Sequence, residues 1–95
     1  MYGSITTFQV QSGKTDEVIR VWHDGIMPEV STQKGFKSAK LFTDRTTGKC
    51  AIVGEWETEA DAKGFQTGGE YQKQVAKMAA LLAVSPVREV FEISA

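Results

Sequence analysis

Along this chain the spacing of apolar residues changes from two to about 3.6 and back, twice, and few folds accommodate that order. Ser4 to Gln11 sets Thr6, Phe8 and Val10 against Ile5, Thr7 and Gln9 and is rich in β-branched residues, which predicts a strand. Ser12-Gly13-Lys14 breaks it, and Thr15-Asp16-Glu17 offers an N-cap followed by acids where the helix dipole favours them. Val18, Ile19, Trp22, Ile26 and Val30 then fall on one helical face. Pro28 removes a backbone donor and Gly25 weakens the same stretch, so a kink or break is expected near Ile26-Met27, with Gly35 as C-cap. Phe36–Thr43 and Cys50–Glu57 read as two strands joined by turn-forming Asp44 to Lys49, an antiparallel hairpin. Thr58-Glu59-Ala60-Asp61 resembles a capping box with Asp in the place of Glu. The helix it opens is interrupted at Gly68-Gly69 and resumes with Tyr71, Val75, Met78 and Leu82 on one face, and Ser85-Pro86 is expected to close it. Val87, Glu89, Phe91 and Ile93 alternate with Arg88, Val90 and Glu92 as a last strand. The order β-α-β-β-α-β predicts an α+β, ferredoxin-like fold: a four-stranded antiparallel sheet with two helices on one face.

No linker or repeat divides the sequence, so residues 1–95 read as a single domain. A domain of this size buries only about 60–65% of its unfolded surface, which leaves little interior for a ligand and makes association favourable. Eleven Lys and Arg against twelve Asp and Glu give a net charge of −1. Without a basic excess, no nucleic-acid partner is expected. No apolar stretch is long enough for a membrane span, and the uncharged start does not read as a secretory signal. One cysteine, Cys50, and one histidine, His23, build neither an internal disulfide nor a zinc cluster, so the expected location is cytoplasmic. Val87, Phe91 and Ile93 share one face of the last strand, with Val90 alone among charges on the other. Ile52 and Trp56 oppose Val53, and Ile5 opposes Phe8 and Val10. Apolar groups on both faces of the sheet are compatible with a homodimer joined sheet to sheet.

Three features together resemble the antibiotic biosynthesis monooxygenase (ABM) domain, a branch of the dimeric α/β-barrel proteins. They are the polar strand leading to Gly13 and an acidic helix start, Pro28 followed by Gly35-Phe36, and Gly54-Glu55-Trp56-Glu57-Thr58-Glu59-Ala60 with Tyr71 beyond it. The resemblance covers nearly the whole chain. It implies a homodimeric barrel with a cleft between sheet and helices in each subunit. Members of that family oxidise quinol-like polycyclic compounds with O₂ and no cofactor, degrade haem, or process small signalling molecules.

The haem-degrading branch uses an Asn on the first strand and, on the second helix, a Trp with a His ten positions later. The matching positions here are Thr6, Phe65 and Val75, and a valine cannot ligate iron, so haem degradation is not expected. The quinone-forming branch uses a Trp and a Tyr six residues apart, a polar residue four before the Trp, and an Arg near the last strand. Phe65 and Tyr71 keep that spacing, Asp61 stands at the polar position, and Arg88 lies near the Arg without matching its register. A buried tyrosine beside a phenolic substrate can hold its hydroxyl or shuttle its proton. Tyr71 also simply begins a core stripe, and packing alone would account for it.

His23, beside Trp22 at the edge of the first helix's apolar arc, is a candidate base if it turns inward and a half-buried surface residue if it does not. Trp22 and Phe65 would wall the cleft, while Trp56 reads as packing. Cys50, opening an exposed hairpin strand, has no base arranged for it. Gly68-Gly69 lacks the context of a phosphate loop, and no nucleophile elbow is present. The expected function is oxidation of a small aromatic or quinol-like molecule by O₂ without cofactor or metal. The alternatives are a non-catalytic binding or stress-response protein of the same fold, and a lactone isomerase or lyase using His23 or Asp61 as base.

Overall fold

The computed structural model describes residues 1–95. Strand β1 (Tyr2–Val10) buries as its sequence alternates: Ser4, Thr6, Phe8 and Val10 are covered, while Ile5 and Thr7 are exposed. It lies inside a sheet of order β2-β3-β1-β4, all neighbours antiparallel, with β2 Phe36–Thr43, β3 Lys49–Trp56 and β4 Leu82–Glu92. The β2–β3 turn is held by the Asp44 carboxylate, which accepts from the Thr46 backbone N–H at 2.9 Å. Its last turn residue, Gly48, has φ +78°, and a Cβ there would stand 2.7 Å from the Val10 carbonyl.

Two helical arms cover one face. The first is α1 (Thr15–Val21), a π-helical turn (Trp22–Ile26) and α2 (Met27–Val30). The break expected near Ile26-Met27 is this π turn, closed by Met27 N–H donating to the Trp22 carbonyl, just before the proline that has no donor to give. Thr15 is not the N-cap: Lys14 holds that position without a side-chain bond, and Thr15 is buried in the first turn. The arm ends at Val30, so Gly35 (φ +78°) belongs to the turn into β2 rather than to the helix end, and a Cβ there would collide with the Asp61 carboxylate. The second arm is α3 (Glu59–Thr67) and α4 (Glu70–Met78), parted at Gly69 with φ +91°. Thr58 Oγ1 accepts from the Asp61 backbone N–H at 3.0 Å, the first half of the expected capping box.

The second arm stops well before Ser85-Pro86. A single 3₁₀ turn (Ala79–Leu81) leads straight into β4, and Leu82, the last member of the apparent helical stripe, pairs with Val10. Between Thr7↔Val87 and Gln9↔Val84 the register slips by one residue, so Ser85-Pro86 form a bulge. Proline is tolerated there because β4 is an edge strand.

Phe8, Val10, Val18, Ile26, Val30, Cys50 and Met78 make the core between sheet and arms. Cys50 is therefore buried rather than on an exposed strand, and burial pushes its thiol up from the ordinary range. The opposite face of the sheet has no helix over it. Ile5, Phe42, Val53, Val87 and Phe91 lie on it, between 37% and 58% exposed.

Candidate functional site

Between the arms and the sheet a cavity of about 50 Å³ remains. Its floor is Ser4 and Thr6 of β1, Gly54 and Trp56 of β3, and Arg88 of β4. Trp22 and Ile26 of the π turn close one side, and Phe65, Tyr71, Gln74, Val75 and Met78 of the second arm close the other. Local sequence explains the hollow. Gly54 carries no side chain where a Cβ would meet Ser4 Oγ at 2.8 Å, and β1 places two short hydroxyls at positions where a core strand ordinarily carries large apolar groups.

The aromatic residues form a continuous chain. Phe36 meets Trp56 edge-on at 5.8 Å between centroids, Trp56 meets Phe65 at 5.2 Å, and Phe65 meets Tyr71 at 6.2 Å. Trp56 is 2% exposed and its indole N–H donates to Ser4 Oγ at 3.1 Å, which pins the chain to β1. Across it lies the Arg88 guanidinium, 5.3 Å from the Phe65 ring, 5.7 Å from Tyr71 and 5.9 Å from Trp56.

No carboxylate faces this cation. Nη1 donates to Gln66 Oε1 at 3.4 Å, and Nη2 is buried without a partner. Each ring contact contributes about 0.5–2 kcal/mol, whereas removing an ion from water costs several kcal/mol, so Arg88 is a poor device for stability. Burial lowers its pKa from the ordinary arginine value, yet a guanidinium stays protonated in water near neutrality. Burial also raises the Tyr71 hydroxyl above the usual phenol range, against a smaller opposing pull from Arg88. Tyr71 therefore faces the cavity as a neutral donor. The arrangement can hold a flat ring among aromatic walls with a negative or carbonyl oxygen against Arg88 and Tyr71.

Four of the residues singled out from sequence come together here: Tyr71, Phe65, Trp22 and Arg88. Two do not. His23 has 84% of its side chain exposed, makes its side-chain contact with the neighbouring Asp24 carboxylate at 2.8 Å, and borders a shallow outer groove with Ile19, Lys40 and Phe42. Trp22, four residues after Val18, faces the cavity at ordinary helical spacing, and His23, the next residue, faces out. Asp61 sits behind Trp56 and Phe65, in an outer groove with Gln33, Lys34 and Gly64, its carboxylate over Gly35. Thr6, Phe65 and Val75, the positions matched to the haem-degrading set, do line the cavity, but without a side chain able to ligate iron. Gln74 is the residue that sequence reasoning missed. Three places after Tyr71 it shares the inward face, and a polar residue on that face was the signal.

A four-stranded antiparallel sheet with a lined cleft beneath its helices defines the ferredoxin-like class of small cleft-bearing domains. Within it, the sequence matches the antibiotic biosynthesis monooxygenase family over residues 1–77, and the chain belongs to that family. Solved structures agree on the fold. A Bordetella bronchiseptica protein named after the antibiotic biosynthesis monooxygenases superposes with TM-score 0.83 at 16% identity, covering 99% of this chain and 97% of that one. A monooxygenase from the gene ActVA-Orf6 of Streptomyces coelicolor, in complex with Nanaomycin D, gives TM-score 0.82 at 15% identity, covering 99% and 88%. A Nitrosomonas europaea protein of unknown function, NE2512, gives 0.80 at 15%, covering 99% and 89%. At such identities the likeness speaks for the fold alone. No match was found among curated proteins. No helix is long and apolar enough to cross a membrane.

Proposed function

We propose that this protein is a small monooxygenase that oxidises a phenolic or quinol-like aromatic molecule with O₂, using no cofactor and no metal. The observation that carries this reading is the Arg88 guanidinium, caged by Trp56, Phe65 and Tyr71, with one nitrogen buried and unpartnered. A cation of this kind favours the ionised form of a bound phenol. Ionisation raises electron density in the ring, which is what reaction with O₂ requires. The substrate itself supplies the electrons: a ring C–H ortho or para to the phenolic oxygen becomes C=O while the phenol becomes the second C=O, one atom of O₂ stays on carbon, and the other leaves as water with the ring and phenolic hydrogens. Tyr71 would donate a hydrogen bond to the same substrate oxygen and hold it in place. Trp22 and Phe65 would sandwich the ring and keep bulk water out.

The cavity in its present form is smaller than a polycyclic ligand needs, since ligand pockets usually run to about 300 Å³ or more. Trp22, half-buried on the π turn, is the side chain whose outward swing would open it. We also propose that a second copy covers the open sheet face through Ile5, Phe42, Val53, Val87 and Phe91, making a cytoplasmic homodimer. His23 and Asp61 are not part of the proposed machinery. Without them no base lines the cavity for the lactone isomerase reading.

Oxygen uptake with a panel of hydroquinones and dihydroxynaphthalenes tests the proposal, with Arg88→Met and Tyr71→Phe compared with the unaltered protein. Turnover that is abolished or strongly reduced in Arg88→Met is expected, and undiminished turnover in both variants would sink the assignment. The replacement of the family's Trp by Phe65 favours a second reading, a small-molecule-binding protein without redox activity. It would reveal itself by thermal stabilisation with these ligands and no oxygen consumed.

A further inference from the structure

Gln74 is 4% exposed and lines the cavity, and its Oε1 has no hydrogen-bond partner. Its orientation is not arbitrary. Nε2 donates to Glu70 Oε1 at 2.8 Å, one helical turn back on α4, and an ionised carboxylate can only accept. Glu70 thus takes the nitrogen end of the amide and leaves the oxygen end as the group available to the cavity. Arg88 Nη2 is the other orphan of this site and can only donate. One cavity therefore holds two unmet demands of opposite sense: a cationic donor that needs an acceptor, and a neutral acceptor that needs a donor. Native proteins leave few buried polar atoms without partners, and these two, in one lined cavity, are atoms that a polar ligand there would satisfy.

We propose that Gln74 is a specificity-determining residue whose Oε1 accepts a hydrogen bond from a second hydroxyl on a ligand whose first oxygen rests against Arg88. This rests on the reading of the cavity as the binding site, and it narrows the ligand class. A simple monophenol or a ligand carrying only acceptors satisfies Arg88 and leaves Gln74 orphaned. An aromatic diol satisfies both. Etherifying the second hydroxyl removes the donor and sets an ether oxygen against the Gln74 oxygen.

The test is binding rather than turnover, so its outcome separates from that of the oxygenase proposal. A dihydroxynaphthalene and its monomethyl ether are titrated against the protein without oxygen, following tryptophan fluorescence. The unaltered protein is expected to prefer the diol by about tenfold or more, as a site built to hydrogen-bond a hydroxyl does. Gln74→Met, near in size and without the acceptor, is expected to bind both within about twofold of each other and to stay folded, since it removes an unsatisfied group. Glu70→Ala, which frees the amide to rotate, is expected to narrow the preference while keeping Gln74 itself. Wild-type preference retained in Gln74→Met, or no preference in the unaltered protein, overturns the role of Gln74 while leaving the cavity as a binding site. Failure of both ligands to bind the unaltered protein overturns both readings.

Discussion

Each face of the sheet carries some groups of the character usually expected of the other. The helix-covered face carries Ser4, Thr6 and Arg88 among its aromatic and aliphatic residues, while the uncovered face carries Ile5, Phe42, Val53, Val87 and Phe91. In β4 the contrast is sharpest: Val87 and Phe91 point outward, and Arg88, opposite Thr6, points in. A chain whose only concern was a stable monomer would place these the other way round. Polar groups kept inside at an energetic cost indicate a site, and apolar groups left outside at a cost indicate a partner.

That contrast can be broken from either side. On the inner face, Arg88→Met is expected to lower oxygen uptake by about 100-fold or more, the scale of losing one pre-placed donor for developing negative charge. Its thermal unfolding should stay level or rise, because a half-buried ion with no carboxylate partner is removed; a large fall in Tm would instead make Arg88 a structural residue. On the outer face, Phe91→Glu is expected to turn dimers into monomers in light scattering, while leaving the cavity's ligand binding in place. A monomeric unaltered protein would end the partner half of the comparison. Trp56→Phe is expected to cost about 1–3 kcal/mol in denaturant unfolding, through a lost buried hydrogen bond and a small cavity.

Smaller still is the effect of acid on the clasp between the arms. Glu29 pairs with Lys73 at 2.9 Å and with Lys77, which also donates to the Gly25 carbonyl at 2.7 Å. The two lysines hold the Glu29 carboxyl down from 4.5 to about 2. A depressed carboxylate stabilises the fold fully above its unfolded value and loses that contribution as pH falls toward the folded one. A modest drop in Tm between pH 4.5 and about 2 is therefore expected, and Glu29→Gln should flatten that part of the curve. Least of all, His23→Ala should change neither turnover nor stability measurably.

The strands and the broken helices were readable because local chemistry decides them: β-branched alternation in β1, the Asp44 turn, the Thr58 cap, the Gly68-Gly69 interruption. The site was readable only in part. The family resemblance brought Phe65, Tyr71 and Arg88 into view, whereas periodicity alone showed Tyr71 as the start of a core stripe. Spacing set His23 at the edge of the helical arc with both orientations open, and the structure turns it outward. Spacing misled for Leu82, since a residue at helical spacing also satisfies the start of a strand when Val10 waits opposite. Gln74 showed in the sequence only as a polar residue on an inward face: its meaning lies in a bond it does not make, and that appears only when its surroundings are known.

The irregularities at the two margins of the sheet carry a consequence for how this protein behaves at high concentration. β2 slips register between Phe36 and Ser38 and bears Lys37 and Lys40, while β4 bulges at Ser85-Pro86. Neither border offers a long, regular row of free N–H and C=O groups for another strand to join. Ribbon-like growth, one sheet extending the next into a fibril, is thereby disfavoured at both ends. A protein that leaves so much oily surface uncovered on one side of its sheet has blunted the direction in which contact could repeat without limit, and left open the direction in which the proposed pairing would end after two.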